Sequence, residues 1–84
     1  MIRILYFASL RDRLKQDAEQ MELPPGISDV GGLMQHLRQR SGVWAETFAA
    51  DQPVLCALNQ EMARQDARVK DGDEIGFFPP VTGG

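Results

Sequence analysis

The sequence predicts an α+β fold in which a mixed sheet of about four to five strands carries one main helix on one face. Three observations support this fold class. The 84 residues are enough for one domain. Strand-like apolar runs lie near both ends, at residues 2–7 and 74–78. A single amphipathic stretch, which begins near residue 28 and stops at Gly42, is typical of one main helix.

The first strand is followed by a short helix and a second strand. Residues 2–7 place apolar side chains on both faces, which is typical of a buried strand. Ser9 is the predicted N-cap of a short helix at residues 10–16. Residues 19–23 alternate weakly and predict an antiparallel second strand, which Pro24-Pro25-Gly26 ends.

The main helix is predicted from its cap and its apolar stripe. Ser28 is the predicted N-cap, and Gly42 supplies the stop. The stripe consists of apolar residues at helical spacing, namely Val30, Leu33, Met34 and Leu37. Residues 43–52 are predicted to be irregular, with Trp44 and Phe48 covering the edge of the core.

Short strands and tight turns make up the rest of the domain. Residues 54–58 predict a third strand, Asn59-Gln60 its turn, and Met62-Ala63 the start of a short fourth strand. A tight turn at Asp71-Gly72-Asp73 leads into the last strand, residues 74–78. This order of elements predicts a β-grasp fold, in which the first strand pairs in parallel with the last across a right-handed crossover.

Composition and charge narrow the classes of function. The formal net charge of -3 argues weakly against a nucleic-acid partner. No apolar run approaches the roughly 20 residues of a membrane span, and the first residues lack the features of an export signal. Cys56 is the single cysteine, which fits a reducing compartment. We therefore expect a cytoplasmic protein with neither a nucleic-acid nor a membrane partner.

Familiar catalytic and metal-binding patterns are missing from the sequence. His36 lies on the predicted helix, where an exposed or half-packed residue is favoured over a catalytic base. Cys56 lies mid-strand between apolar residues, which favours a core thiol over a nucleophile. The acidic residues 71–74 are better explained as a turn than as a calcium site. We expect a protein that is not catalytic alone and binds no metal or cofactor.

The end of the chain carries the most informative motif. Pro79-Pro80 cannot continue a central ladder and is followed by Val81-Thr82-Gly83-Gly84. We expect residues 1–78 to form the domain and residues 79–84 a flexible, extended tail with a tip narrow enough to thread a channel. For a Gly-Gly pair alone a frayed end is the simpler explanation, but the stiff, apolar approach favours a functional tail.

A partner surface is predicted on the sheet face away from the helix. Phe7 and Phe78 share that face if the first and last strands are neighbours, and Met62 extends the patch. A fold with one main helix leaves one sheet face uncovered, and an exposed apolar patch of this kind marks an interface. The alternative is that these residues are core, which we favour only for Leu5.

Three stretches of the sequence carry a resemblance to a known family. They are residues 5–11, residues 58–60 and residues 71–84, of which the last, ending Phe-Phe-Pro-Pro-Val-Thr-Gly-Gly, is the most specific. On these stretches the chain resembles, over its whole length, the small subunit of molybdopterin synthase, a ubiquitin-like sulfur carrier.

This resemblance implies a chemical role for the tail. Gly84 would be the reacting residue and Gly83 its spacer. A ubiquitin-activating-type adenylyltransferase would use ATP and magnesium to adenylate the Gly84 carboxylate, which sulfur transfer converts to a thiocarboxylate. The large subunit of a heterotetramer would then receive the tail, and the sulfur would convert precursor Z to molybdopterin. The residues implied to contact the large subunit are Phe7, Met62, Phe78, Pro79, Pro80, Val81 and Thr82.

Other functions share the same ending. A β-grasp sulfur carrier could serve the thiamine thiazole, a thiolated tRNA base or an amino acid. A ubiquitin-like modifier would need the same activation but would end in an isopeptide bond. An interaction module would need no reactive tail at all. Residues 77–82 and the first-strand pair Phe7-Ala8 favour the molybdopterin carrier over sulfur carriers for other products.

Overall fold

The computed structural model describes residues 1–40 and 42–80. There the chain forms a five-stranded sheet, and the helices share one apolar core with it. The helices are α1 (Ala8–Leu14), α2 (Val30–Arg38) and α3 (Val43–Thr47). The strands are β1 (Ile2–Tyr6), β2 (Ala18–Met21), β3 (Leu55–Leu58), β4 (Glu61–Ala63) and β5 (Glu74–Phe78).

The strand order is β2-β1-β5-β3-β4. Strand β1 pairs antiparallel with β2 on one side and parallel with β5 on the other. Strand β3 pairs antiparallel with both β5 and β4. The first and last strands are thus the predicted parallel neighbours, with the main helix in the connection between them. The predicted β-grasp fold is confirmed.

One face of the sheet is buried beneath the helices. Along β1, Ile2, Ile4 and Tyr6 are buried, as the strand period of two predicts. The predicted stripe of α2 is buried at all four of its positions. Phe48 is also in this core, with its ring centroid 5.2 Å from that of Phe77. Phe48 therefore lies inside the core and not at the edge predicted for it.

The N-cap of α2 differs from the prediction. Asp29, and not Ser28, occupies the cap, and its side chain accepts a hydrogen bond of 2.7 Å from the Gly32 amide. Ser28 instead uses its backbone carbonyl, which accepts a bond of 2.9 Å from the Val69 amide. Both residue types cap helices well, so the backbone pairing of Ser28 decides which of them does so here.

Gly31, at the start of α2, lies close to the backbone of a loop. The Gly31 amide donates to the Gln65 carbonyl at 2.7 Å, and the Val30 amide donates to the Ala67 carbonyl at 3.0 Å. A Cβ atom at Gly31 would lie 3.3 Å from that Gln65 oxygen. The small residue therefore permits close packing on the loop after β4.

Further element boundaries differ from prediction. Helix α2 ends at Arg38, and Gly42, the predicted stop, is instead the residue before α3. Helix α3 occupies the start of a segment predicted to be irregular, because five residues are too few to show a helical period. Helix α1 begins before its predicted cap Ser9, since the Phe7 carbonyl accepts bonds from the Leu10 and Arg11 amides. Strand β2 ends at Met21, which already pairs with Ile2 at the start of β1.

Candidate functional site

The sheet face opposite the helices has a floor of small side chains. The Cα pairing joins Leu5 to Gly76, Gly76 to Ala57, and Ala57 to Met62, so these residues form one row across β1, β5, β3 and β4. Laterally paired residues point to the same face of a sheet. Ala57 and Gly76 are the two central residues of this row, and their small size leaves a depression in the middle of the sheet face.

Larger apolar side chains stand beside this floor. The rings of Phe7 and Phe78 pack edge to face with centroids 6.4 Å apart, and Phe78 pairs with Leu55 on the neighbouring strand. The exposed fractions are 45% for Phe7, 37% for Leu55 and 66% for Met62. We call this surface the open face, which consists of Leu5, Phe7, Leu55, Ala57, Met62, Gly76 and Phe78. Leu5 was expected in the core, but it is half-buried on the open face and not part of the core cluster. The structure thus brings Phe7, Met62 and Phe78 to one apolar face.

Gly76 allows the Phe7 ring to lie across the sheet. A Cβ atom at Gly76 would be 3.0 Å from Cε2 of Phe7, which is tighter than most real Cβ contacts and would push the ring away by a few tenths of an ångström. The Phe7 amide also donates a hydrogen bond of 3.0 Å to the Phe77 carbonyl, which holds its backbone beside β5. The missing side chain at Gly76 therefore lets the Phe7 ring lie close to β5.

Leu55 belongs to the open face, although the sequence analysis did not single it out. Cys56 is buried on the opposite face, and residues on either side of it in a strand must point away from the core. The alternation around Cys56 was the signal that could have identified Leu55. It was overlooked because all three residues of this run, Leu55, Cys56 and Ala57, are apolar.

The base of the predicted tail packs against the domain. Pro79 and Pro80 are half-buried and line a groove of about 340 Å³, together with Ser9 and Arg13 near α1. They follow Phe78 directly, so the chain leaves the domain beside the open face. The other predicted tail positions, Val81, Thr82, Gly83 and Gly84, lie outside the described residues.

The two residues considered as nucleophile or base do not form a catalytic arrangement. Cys56 is buried, its Sγ donates to the Ala63 carbonyl at 3.1 Å, and burial raises the pKa of its thiol. His36 is half-buried on α2. Both placements agree with the packing roles predicted. Within residues 1–40 and 42–80, no three His, Cys, Asp or Glu side chains are grouped as a metal site would require.

No helix in the described ranges has the length and apolar character needed to cross a membrane.

A polar cluster braces the edge of the sheet. The Glu19 carboxylate accepts two hydrogen bonds of 2.9 Å from Arg40 and one of 2.8 Å from the Tyr6 hydroxyl. The bonds from Arg40 hold the pKa of Glu19 below its ordinary value, while burial raises the pKa of Tyr6. The Arg40 guanidinium also lies 4.5 Å from the centre of the Trp44 ring. Because this cluster is on the helix side of the sheet, its role is structural.

Comparison with known proteins identifies the family. The model of the ThiS family matches residues 4–84, nearly the whole chain. The chain belongs to the ThiS family. This ThiS-family chain is also 40% identical over 84 residues to the molybdopterin synthase sulfur carrier subunit of Escherichia coli strain K12, with 100% of both chains covered. The family predicted from the sequence is therefore confirmed.

Solved structures share the fold of this ThiS-family chain. A chain from Pyrococcus furiosus, provisionally named molybdopterin converting factor subunit 1, is 31% identical, with a TM-score of 0.74 and coverage of 95% of this chain and 97% of that one. A chain in the complex of subunits 1 and 2 of the molybdopterin-converting factor from Helicobacter pylori is 24% identical, with a TM-score of 0.63 and coverage of 99% and 97%. At this lower identity the likeness concerns the fold alone.

Proposed function

We propose that this ThiS-family protein is the sulfur carrier subunit of a molybdopterin synthase, and that its C-terminal Gly84 carries the sulfur as a thiocarboxylate. The observation that carries the proposal is the similarity, over 100% of both chains, to a molybdopterin synthase sulfur carrier subunit. The open face supports it, because a carrier needs a surface on which its partners dock. Catalysis then belongs to the assembled complex and not to this subunit alone.

The proposed chemistry explains why the chain would end without side chains. A carboxylate is a poor acyl donor, so a ubiquitin-activating-type adenylyltransferase first joins the Gly84 carboxylate to AMP, using ATP and magnesium and releasing pyrophosphate. A sulfur nucleophile then displaces AMP and leaves the thiocarboxylate. In molybdopterin synthase this sulfur is donated to precursor Z, which becomes molybdopterin. Gly83 serves as a spacer that fits a narrow channel.

The open face is the proposed docking surface for the large subunit. Its exposed members Phe7, Leu55 and Met62 form the kind of apolar patch that protein interfaces bury. Pro79-Pro80 leaves the domain beside this face, so a partner docked there lies close to the residues that lead to Gly84. The similar Escherichia coli protein is named as a subunit of molybdopterin synthase, which supports a partner of this kind. We place the complex, a heterotetramer of two small and two large subunits, in the cytoplasm.

Intact and peptide mass spectrometry tests the carrier chemistry. The chain is incubated with the activating enzyme, ATP, magnesium and a sulfur donor, and then digested with trypsin. Replacing one oxygen by sulfur adds roughly 16 mass units, and so does oxidation of a methionine. The C-terminal peptide after Lys70 contains no methionine and no cysteine, so a gain of this size in residues 71–84 reports the thiocarboxylate.

Deletion of Gly84 is the matched control. The variant should gain no mass in this peptide and should not support molybdopterin formation, while its thermal unfolding stays unchanged. A mass gain that persists without Gly84 would contradict the proposal. High-mass adducts on a denaturing gel would instead indicate a protein modifier. If the chain carries the thiocarboxylate but does not convert precursor Z together with the large subunit, it is a carrier for another product.

A further inference from the structure

The methionines of this chain differ sharply in their exposure. The chain contains four of them. Met34 is only 7% exposed, and Met21 is partly buried against the core. Met62 is 66% exposed and Met1 is 60% exposed. A thioether at the surface is open to oxidants, so Met62 and Met1 are the two accessible sites of this chemistry.

Met62 differs from Met1 in where it lies. It belongs to the short strand β4 and reaches the open face through the row that joins it to Ala57 and Gly76. Those two small residues leave its flexible side chain uncovered. Its thioether is apolar and adaptable, which suits a residue that fills gaps in a partner surface.

The cysteine does not offer an alternative oxidation site. Cys56 is 3% exposed, and its Sγ is engaged with the Ala63 carbonyl at 3.1 Å. The thiolate is the reactive form of cysteine, and burial disfavours it. An oxidant that reaches the folded chain therefore meets the Met62 sulfur on the open face before it meets the cysteine.

We propose that Met62 is a reversible oxidation site, at which peroxide converts the thioether to a sulfoxide and thereby weakens docking of the large subunit. This inference rests on the proposed function, because it assigns a regulatory role to a residue of the same docking surface. The reacting group is the Met62 sulfur, and the oxidant is hydrogen peroxide or another peroxide.

The reaction is balanced without any further reagent. A lone pair of the Met62 sulfur attacks one peroxide oxygen, a sulfur–oxygen bond forms and the oxygen–oxygen bond breaks. The sulfur is oxidised by two electrons, and the remaining peroxide oxygen leaves as water after taking up the proton of the transferred oxygen. The thiol-dependent methionine sulfoxide reductases reverse this oxidation.

The sulfoxide changes docking by changing polarity. Its oxygen is a strong hydrogen-bond acceptor, and burying such a group against an apolar partner without a donor is unfavourable. A tenfold loss of affinity lies within the range of penalties known for unsatisfied polar groups. Because Met62 is mostly exposed in the free subunit, the same oxidation leaves the domain folded.

The test compares the wild-type chain with Met62→Leu, each before and after treatment with hydrogen peroxide. Leucine keeps nearly the same apolar volume but cannot be oxidised. Met1 remains in both proteins and serves as an internal control for the extent of oxidation. Calorimetry measures affinity for the large subunit of molybdopterin synthase, peptide mass spectrometry locates the added oxygen, and thermal unfolding reports the fold.

The expected result is that peroxide weakens binding of the wild-type chain about tenfold or more and leaves Met62→Leu unaffected, with both proteins folded. Prior formation of the complex should protect Met62 from oxidation but not Met1. Unchanged affinity of a wild-type chain that carries the Met62 sulfoxide overturns the inference, as does equal loss in both proteins. If the untreated wild-type chain does not bind the large subunit, the proposed docking fails as well, so the two failures are distinguishable.

Discussion

At the scale of single residues, the Asp73 carboxylate connects two turns. It accepts a hydrogen bond of 2.9 Å from the Lys70 amide and one of 3.1 Å from the Asn59 side chain. Asn59 in turn accepts a bond of 3.0 Å from the Glu74 amide at the start of β5. The bond from Lys70 is the main reason that the pKa of Asp73 lies below its ordinary value. The acidic residues of this turn are therefore used for folding, as the sequence predicted.

This carboxylate should make stability depend on pH in the acid range. An unfolded aspartate titrates near pH 3.9, and the folded pKa of Asp73 is lower. The unfolded state therefore binds more protons in this range, so the contribution of Asp73 is complete above about pH 4 and is lost as the pH falls through the folded pKa. We expect Asp73→Asn to make the free energy of unfolding less dependent on pH in this range. At pH 7 the substitution should lower that free energy by on the order of 1–3 kcal/mol.

Urea unfolding between pH 2 and 7 measures this effect. The exposed residue Asp66 provides the control, because Asp66→Asn removes a similar charge outside the turn and should change stability by less than about 0.5 kcal/mol. If the free energy of unfolding of Asp73→Asn and of the wild-type protein changes equally with pH, the hydrogen bonds to Asp73 do not favour its ionised carboxylate.

At the scale of elements, the start of α2 shows how tertiary contacts select a helix cap. Ser28 and Asp29 are both good capping residues, and they are adjacent in the sequence. The chain pairs with the segment after β4 at this point, through the Ser28 carbonyl and an isolated bridge between Asp29 and Arg68. This pairing sets the position at which the helix begins, and it leaves the Asp29 side chain to cap Gly32.

The two possible caps can be separated by mutation. Asp29→Ala removes the side-chain acceptor at the Gly32 amide and should destabilise the protein by about 1 kcal/mol. Ser28→Ala keeps the backbone carbonyl that Val69 uses and should have little effect. Chemical denaturation of the two variants, measured side by side, gives the comparison. A larger loss for Ser28→Ala would mean that the cap assigned to α2 is wrong.

At the scale of the whole molecule, the two sheet faces have different tasks. Tyr6, Phe77 and Phe48 fill the helix side with closely packed rings. On the other side the large apolar residues stay partly exposed, so they add little to the stability of the free subunit and leave apolar area for a partner to bury. Stability and docking are therefore carried by different residues of the same strands.

Leu55 offers the clearest test of this division. Leu55→Ala should weaken binding of the large subunit by about tenfold, since a buried leucine side chain contributes roughly 1.5–3 kcal/mol, while the melting temperature changes little. Calorimetry and thermal unfolding measure the two quantities. Gln35→Ala, an exposed position on α2, is the control and should change neither. Unchanged affinity for Leu55→Ala would exclude Leu55 from the docking surface.

The tail joins the proposed reaction to the rest of the molecule. The residues that would carry the reaction, Gly83 and Gly84, lie outside the described part of the chain, and their role rests on the sequence motif and the family. The structure adds that Pro79-Pro80 is half-buried against α1 and directly follows Phe78, a residue of the open face. It is this position that relates the proposed reactive end to the proposed docking surface.

The sequence by itself determined the fold class, the parallel pairing of β1 with β5 and the bounds of β5. Alternation with a period of two and turn residues at fixed places are local signals, and each strand carries enough of them to be recognised. The same alternation placed Phe7 and Phe78 on one face, and the closing motif identified the family.

Only the tertiary structure decided the cap at Asp29, the short helix α3 and the membership of Leu55 in the open face. Each depends on a contact between distant parts of the chain, namely the pairing of Ser28 with Val69, the packing of Phe48 on Phe77, and the register of β3 against β5. Local sequence patterns indicate which conformations a segment prefers. The conformation that it adopts also depends on burial and strand register, and these are set only when the segments pack together.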